Sequence, residues 1–219
     1  LALLPLVLCL FLTFSRGGWL LGLPAALLTI GLLSGRGAAL KAATAITLCC
    51  LALLPLVGTQ RLVSLFDLEQ GTTFRRLRLW EATAKMIQDR PITGVGLDNF
   101  LYEYPDYMLR DAWQEPDLSH PHNIVLDYWT RLGVGGVAVL LWLEAAFFAL
   151  ALCLYRRLAD ADGRAIILGC IASMVGALAH GLIDNSYFLV DLAFIFFFNL
   201  GWIRAAAGSS AFGNQPVVA

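Results

Sequence analysis

The chain has 219 residues, of which 59% are hydrophobic and 14% are charged, and its formal net charge is −1. Soluble globular proteins carry about 25% charged residues, so this composition argues against an ordinary soluble domain and is typical of a membrane protein. The sequence also lacks a long run of Lys and Arg residues. Together with the near-zero net charge, this argues against nucleic acid as a partner.

Apolar segments along the chain predict about six transmembrane helices. They cover residues 1–14, 19–33, 38–57, 127–154, 165–183 and 188–203. The first residue is Leu1, and the chain begins inside an apolar helical pattern, so we expect the sequence to be the C-terminal part of a longer protein. The predicted fold class is an all-α polytopic membrane protein with a partly helical extracytoplasmic loop.

The long polar segment divides the chain into four predicted parts. In chain order they are three transmembrane helices (1–57), a periplasmic loop domain (58–122), three further transmembrane helices (123–204) and a disordered cytoplasmic tail (205–219). Lys and Arg in short connectors mark the cytoplasmic side of a membrane. In this topology, the connector residues on one side are Arg36, Lys41, Arg156, Arg157, Arg164 and Arg204. We therefore expect the loop on the outer face of a bacterial inner membrane.

The five cysteines all lie within apolar segments, and no two of them form a Cys-x-x-Cys pair. They are Cys9, Cys49, Cys50, Cys153 and Cys170. Thiols in this setting behave as small hydrophobic side chains. We therefore predict neither a disulfide nor a metal site formed by cysteines.

Within the loop, apolar residues recur at helical spacing from 74 to 89, which predicts an amphipathic helix capped by Thr72 or Thr73. Arg76 and Trp80 are four residues apart and therefore share a face of this helix. Aromatic residues follow after a Pro- and Gly-containing turn. They are Phe100, Tyr102, Tyr104 and Tyr107, and they are interpreted as core or interface anchors or, alternatively, as the flank of a sugar site.

His120 and His122 lie where the polar loop meets the fourth predicted membrane helix. Because imidazole exchanges a proton near neutral pH, we predict that this junction is the centre of an active site. Either imidazole can serve as the base. A His-x-His pair without a third ligand nearby is a weak indication of a metal site, so no metal is predicted.

Further ionisable residues occur near the predicted outer ends of the membrane helices. Arg16 follows Ser15 in a tight turn and is interpreted either as a snorkelling anchor or as a cation for an anionic headgroup. His180 and Asp184 are four residues apart, so we expect them to share a helix face, where they can pair with each other, and to support the site.

Two small motifs have plain structural interpretations. Gly133 and Gly136 are spaced for close helix packing in lipid. Asp160 and Asp162 form an acid-x-acid motif, as in metal-dependent sugar-nucleotide transferases. They fall on the predicted inner side and are interpreted as a solvated connector.

Several motifs, taken in order, resemble the O-antigen ligase family of membrane glycosyltransferases, which includes related polymerases and protein O-oligosaccharyltransferases. The resemblance extends from Ser15 to about Leu200. The segments that carry it are Thr13–Gly18, Arg76–Trp80, Pro91–Phe100, the His-Asn pattern with two glycines in His122–Gly136, and His180–Asp184.

The resemblance implies transfer of a glycan from an undecaprenyl-diphosphate carrier to an acceptor, with inversion and without a metal or other cofactor. Arg16 and Arg76 correspond to the family's turn and loop-helix arginines, for which we expect a role in binding the diphosphate, and His122 corresponds to the reactive histidine. The possible supporting residues are Asn123, His120, Arg75, Arg78, His180 and Asp184. The expected acceptor is a lipid A-core, a glycan or a protein, and the bilayer is a further partner.

The residue types fit this chemistry independently. Two guanidinium groups can hold a departing diphosphate through forked hydrogen bonds, and a neutral imidazole can take the acceptor's proton. Asn123 can orient the imidazole or the sugar, or it can cap the next helix. Arg75 or Arg78 can take the role of Arg76. A transporter of lipid-linked glycans is the alternative from another class, but a transporter needs polar groups through the bilayer midplane, where these helices are nearly uncharged.

Overall fold

The computed structural model describes residues 3–13, 15, 17–57, 71–112, 117–184 and 190–208. In these ranges all regular secondary structure is helical, which confirms the all-α prediction for this part of the chain. The α-helices described are α1 (Leu3–Leu12), α2 (Leu23–Ser34), α3 (Arg36–Val57), α4 (Gly71–Asp89), α5 (Phe100–Tyr107), α6 (Ile124–Arg157), α7 (Ala161–Gly181) and α8 (Val190–Gly208). A π-helical turn, Gly18–Gly22, leads into α2, and a 3-10 turn, Arg110–Ala112, follows α5.

Two of the described helices, α6 with 34 residues and α7 with 21 residues, are long and apolar enough to cross a membrane. The segments Gly18–Ser34 and Ala193–Gly208 are apolar but shorter. A transmembrane helix needs about 20 residues. The predicted number of six membrane helices is therefore not confirmed and stays a prediction.

Two helix boundaries differ from the sequence prediction. Helix α4 begins at Gly71, so Thr72 and Thr73 lie inside its first turn instead of capping it. Helix α8 continues to Gly208, four residues into the segment expected to be a disordered tail. The rest of that expected tail, residues 209–219, lies outside the described residues.

The chain forms two compact units. The first unit contains α1, α2, the larger part of α3, α6 from Glu144 onward, α7 up to His180, and α8. The second unit contains α4, α5, α6 up to Leu143, and the segment that begins at Gly181. The two histidines of the His-x-His pair lie in the second unit.

In the first unit, the π-helical turn that leads into α2 approaches α7 closely through glycines. A side chain at Gly176 would come within 3.0 Å of the Gly22 carbonyl oxygen, and one at Gly22 would come within 3.2 Å of the Gly176 carbonyl oxygen. Small residues permit this kind of close helix contact in membranes.

The second unit has its own hydrophobic core between α4 and the segments that follow it. Leu79, Met86 and Phe100 are among its buried members, and Trp80 packs against it. The rings of Phe100 and Tyr104 stack with 5.4 Å between their centroids, and both side chains are buried. Of the two interpretations of the aromatic stretch, these two rings fit the core.

Helix α6 is interrupted at Gly133, which has φ 66° and ψ −162°. The turn that follows α4 fills the break: the Val134 N–H donates to the Pro91 carbonyl (3.1 Å), and the Val95 N–H donates to the Thr130 carbonyl (2.6 Å). Backbone groups left unpaired at a helix end are costly in an apolar environment, so these bonds stabilise the interruption.

The break corrects the interpretation of the two glycines as a helix-packing motif. A side chain at Gly133 would meet the Ile92 carbonyl and the Thr93 nitrogen, which belong to the turn. A side chain at Gly136 would meet Leu132 and the Tyr128 carbonyl, which lie earlier in the same helix. Gly133 therefore permits the contact between α6 and the loop turn, and Gly136 permits close packing within α6 beside the interruption.

Candidate functional site

The imidazole of His122 forms an ion-pair-like contact with a carboxylate. His122 Nδ1 lies 2.8 Å from Asp184 Oδ1, and both side chains are partly exposed, at 28% and 39%. Because a carboxylate only accepts hydrogen bonds, Nδ1 carries the hydrogen in this arrangement, and the Nε2 lone pair is the acceptor of the neutral ring. A partly exposed imidazole held in this way is suited to accept a proton from a substrate hydroxyl.

The backbone holds His122 in an uncommon conformation. Its φ is 51°, in the left-handed region, and among the described non-glycine residues only Asp98 shares a positive φ. The residue before it, Pro121, is buried, and its carbonyl accepts a hydrogen bond of 2.9 Å from Trp80 Nε1. Helix α4 therefore anchors the segment that carries His122. Such strained positions occur preferentially at functional sites.

Asn123 fixes the position of His122 relative to Asp184. Its Oδ1 accepts hydrogen bonds of 3.0 Å each from the Val125 and Leu126 N–H groups, which caps α6. Its Nδ2 donates to the Leu182 carbonyl at 2.9 Å, so the chain just after α7 lies against the start of α6. Of the two roles considered for Asn123, the geometry fits helix capping.

His120 lies beside His122, with 4.3 Å between the ring centroids, and its Nδ1 is 3.1 Å from Ser119 Oγ. Burial and, to a lesser extent, the neighbouring His122 lower the pKa of His120 to about 4. The His120 imidazole is therefore neutral near pH 7.

His120, His122 and Asp184 each offer one ligand atom, and these three atoms lie within 4.8 Å of one another. The sequence interpretation gave the His-x-His pair no third ligand, and Asp184 supplies one. The ground for dismissing a metal was therefore wrong, since the third ligand comes from a distant part of the chain.

The three arginines at the start of α4 differ in their surroundings. Arg78 contacts Glu81 and Asp111, each at 3.0 Å, and lies over the Phe74 ring. Arg75 is exposed, whereas Arg76 is half-buried one turn before Trp80. Arg76 shares a face of α4 with Trp80, and Trp80 contacts Pro121, the residue next to His122.

Arg16 lies outside the described residues. The preceding Ser15 accepts a hydrogen bond of 3.2 Å from the Gly18 N–H, and its Oγ lies 3.4 Å from His180 Nε2. His180 therefore contacts the residue next to Arg16 in the chain.

The expected pairing of His180 with Asp184 is wrong in its premise. Helix α7 ends at Gly181, so Asp184 follows the helix and does not share a helix face with His180. Asp184 contacts His122, and His180 contacts Ser15. The sequence spacing suggested a pair because it assumed another turn of helix.

A charged cluster that the sequence reasoning missed lies at the start of α6. The guanidinium of Arg131 contacts Asp127 at 2.8 Å and also contacts Asp98, which belongs to the turn after α4. Arg131 and Asp127 are buried, whereas the Asp98 side chain is 88% exposed. The four-residue spacing of Asp127 and Arg131 was an available signal.

Other residues singled out from the sequence have structural roles. Asp160 Oδ2 accepts a hydrogen bond of 2.6 Å from the Gly163 N–H and so caps α7. Tyr107 donates to Asp89 at 2.8 Å, which raises the pKa of the tyrosine. Among the cysteines whose side chains are described, Cys9, Cys153 and Cys170 are free thiols.

Comparison with known proteins adds a family assignment. A family model described as O-antigen ligase matches residues 1–141. The chain belongs to the O-antigen ligase family. No curated protein and no solved structure matches the chain.

Membership of the O-antigen ligase family confirms the resemblance drawn from the motifs. It associates the chain with a membrane and, in general terms, with a lipid-linked glycan and a glycan acceptor. The matched residues include Arg16, Arg76 and His122, whereas Asp184 and His180 lie beyond them. The contact between His122 and Asp184 is therefore a finding of the tertiary structure.

Proposed function

We propose that this member of the O-antigen ligase family is a glycosyltransferase that moves a glycan from a polyprenyl diphosphate to an acceptor hydroxyl. The observation that carries the proposal is the contact between His122 and Asp184, beside a helix that bears Arg76. A carboxylate that orients an imidazole, with the opposite ring nitrogen available, is an arrangement well suited to general-base catalysis.

In the proposed reaction, His122 Nε2 takes the proton of the acceptor hydroxyl as its oxygen attacks the anomeric carbon. Asp184 holds the ring through Nδ1 and stabilises the imidazolium that forms. The bond between the anomeric carbon and the carrier's phosphate oxygen breaks, and its electron pair leaves with the diphosphate. A single displacement of this kind inverts the anomeric configuration.

The departing diphosphate needs positive charge. Arg76 lies on the face of α4 that contains Trp80, whose indole reaches the residue before His122. We assign Arg76 to the diphosphate, together with Arg16, on the basis of the family motif. Two guanidinium groups bind phosphate oxygens bidentately and stabilise the charge that develops on the leaving group. No role in the reaction is assigned to His120, because Asp184 contacts His122.

The proposed location is the outer face of the bacterial inner membrane. The basic connectors support this orientation, as does the position of the histidines in the polar loop. The acceptor is a lipid A-core, a growing glycan or a protein, which corresponds to a ligase, a polymerase or a protein O-oligosaccharyltransferase. A transporter of lipid-linked glycans is the less favoured alternative, since transport does not require an oriented imidazole.

Single-turnover transfer by the full-length protein in detergent tests the proposal. The glycan donor is a polyprenyl-diphosphate-linked glycan, and donor binding is measured in parallel, with EDTA present. We expect His122→Ala to lose at least about 100-fold in transfer rate while it keeps donor binding. Arg76→Lys should weaken donor binding and slow transfer, because a lysine cannot form the forked contact.

Arg78→Lys is the matched control, because Arg78 contacts Glu81 and Asp111. It should retain both donor binding and transfer. If His122→Ala transfers at the wild-type rate, the catalytic assignment fails. If the wild-type protein binds the glycan donor and moves it across vesicle membranes but transfers it to none of the three acceptor classes, the transporter replaces the enzyme.

A further inference from the structure

The side chains of His120, His122 and Asp184 converge although Asp184 comes from a distant part of the sequence. One ligand atom from each residue lies within 4.8 Å of the others, and all three side chains are partly buried. Two imidazoles and one carboxylate make up the ligand set of many zinc sites, in which a fourth position is left for water or substrate. Mg²⁺ and Ca²⁺ prefer oxygen ligands, so this set selects against them.

The distances are close to those that a bound ion requires. Ligands lie about 2.0–2.2 Å from zinc, so two ligands of a tetrahedral ion are about 3.4 Å apart. His122 Nδ1 and Asp184 Oδ1 are already 2.8 Å apart, and the rings of His120 and His122 are 4.3 Å apart. The ligand atoms of all three residues lie within 4.8 Å of one another, so the set is near the tetrahedral spacing before any ion is bound.

We propose that His120, His122 and Asp184 form a site for a divalent transition-metal ion such as Zn²⁺, and that the bound ion inhibits glycan transfer. This inference rests on the proposed function, because it assigns a regulatory ligand to the same imidazole. In the active state the ion is absent, and Asp184 holds the His122 ring. In the inhibited state the ion takes the place of the hydrogen bond between them.

Inhibition follows from the proton balance of the imidazole. If the ion binds Nδ1 of neutral His122, the ring hydrogen resides on Nε2, which then has no lone pair for the proton of the acceptor. If the ion binds Nε2, the same lone pair is occupied by the metal. In both cases Asp184 becomes a metal ligand instead of a partner for an imidazolium. His122 therefore cannot act as a base while the ion is bound.

The experiment uses the full-length protein in detergent, treated with EDTA and then freed of chelator. Zn²⁺ is titrated into single-turnover transfer reactions of wild type, His120→Gln and Asp117→Asn. Wild type should lose at least about ten-fold in rate at saturating Zn²⁺ and recover with EDTA, whereas Mg²⁺ and Ca²⁺ should have no effect. His120→Gln should transfer without metal and need at least about ten-fold more Zn²⁺ for the same inhibition.

Asp117→Asn is the matched control, because Asp117 is an exposed carboxylate of the same loop segment. It should remain as sensitive to Zn²⁺ as wild type. Binding is measured separately from activity by titration with Co²⁺, whose visible absorption reports coordination by nitrogen and oxygen ligands. Wild type should show this absorption, and both His120→Gln and Asp184→Asn should lose most of it.

Each contrary result has a distinct meaning. Equal zinc sensitivity of wild type and His120→Gln overturns the proposed site, as does the lack of a cobalt spectrum in wild type. Loss of wild-type transfer in EDTA overturns the inhibitory role, because the ion would then be required. If no transfer occurs under any condition but cobalt still binds through His120, the glycosyltransferase proposal and inhibition fail together, while the metal site stands.

Discussion

Asp184 Oδ1 lies 2.8 Å from His122 Nδ1, although 62 residues separate the two in the chain. Asn123 makes this contact possible, because it caps α6 and binds the Leu182 carbonyl at the same time. The start of α6 and the segment that follows α7 are thereby joined. The imidazole thus gains a carboxylate partner that fixes its tautomer.

Replacing Asp184 with Asn should lower the rate of transfer by on the order of 100-fold. The amide can still bond Nδ1, but it carries no charge to stabilise the imidazolium, and it can impose the wrong tautomer. Donor binding should be unchanged, because the carboxylate does not contact the diphosphate in the proposed reaction. The measurement is single-turnover transfer with donor binding in parallel.

Asp184→Glu retains the charge and should recover part of the lost rate. Asp117→Asn should transfer at the wild-type rate. A normal rate for Asp184→Asn would show that the contact with His122 is structural.

Replacing Trp80 with Phe should slow transfer several-fold with only a modest loss of stability. The aromatic packing is kept, but the hydrogen bond of 2.9 Å to the Pro121 carbonyl is lost, which costs about 1 kcal/mol. The segment that carries His122 then has one anchor fewer. Trp129→Phe is the matched control, since it removes a hydrogen bond of equal length to the Pro91 carbonyl.

The two variants should have similar melting temperatures in detergent, and only Trp80→Phe should transfer slowly. If both slow transfer to the same extent, the bond to Pro121 has no special role in placing His122.

Replacing Gly133 with Ala should destabilise the protein by at least about 2 kcal/mol. Its φ of 66° is unfavourable for alanine, and the added methyl group would overlap the Ile92 carbonyl. Gly135 provides the control, because it lies two residues later in the same helix and nothing lies within 4 Å of a side chain there. Gly135→Ala should be neutral or stabilise by up to about 1 kcal/mol.

Thermal unfolding in detergent, with expression level as a second measure, compares the two glycine variants. Equal stability of Gly133→Ala and Gly135→Ala would contradict the interrupted helix.

Replacing Arg131 with Met should cost about 3–5 kcal/mol, because it removes the cation from a buried carboxylate. Arg131 is 7% exposed, and its partner Asp127 is 1% exposed. Asp98→Asn is the comparison, since it removes a carboxylate that is 88% exposed from the same guanidinium. That variant should lose no more than about 1 kcal/mol.

Denaturant or thermal unfolding measures both charge variants. If Asp98→Asn is as unstable as Arg131→Met, the turn after α4 depends on this ion pair more than burial indicates.

The sequence predicted the helical class and the family correctly because both depend on local patterns. Apolar segments form helices in a bilayer whatever their packing partners are. The motifs around Arg76 and His122 can be recognised directly from the order of the residues in the sequence. The amphipathic helix after the first polar stretch was predicted within a few residues of Gly71–Asp89. Its start was misplaced because threonines near a helix end fit either the cap or the first turn.

The predictions that failed concern contacts between distant segments. His180 and Asp184 were paired because their spacing fits one helix turn, but α7 ends at Gly181 and frees Asp184 to reach His122. Gly133 was assigned to helix packing, since the sequence does not reveal that a turn some 40 residues earlier fills its break. Neither contact produces a periodic pattern in the sequence from which it could be predicted.

By itself, the sequence determined that the described part of the chain is helical and that the chain belongs to a membrane-associated family, and it predicted reactive groups at the junction of a polar loop and an apolar helix. Those properties follow from the amino-acid composition, the helical spacing of the apolar residues and the order of the motifs. Only the tertiary structure decided which carboxylate orients His122, which turn interrupts α6 and which residues can share an ion with the imidazole. The physical reason is that hydrogen bonds and metal coordination require side chains that lie within a few ångströms of one another. Only the three-dimensional course of the folded chain determines which residues come that close.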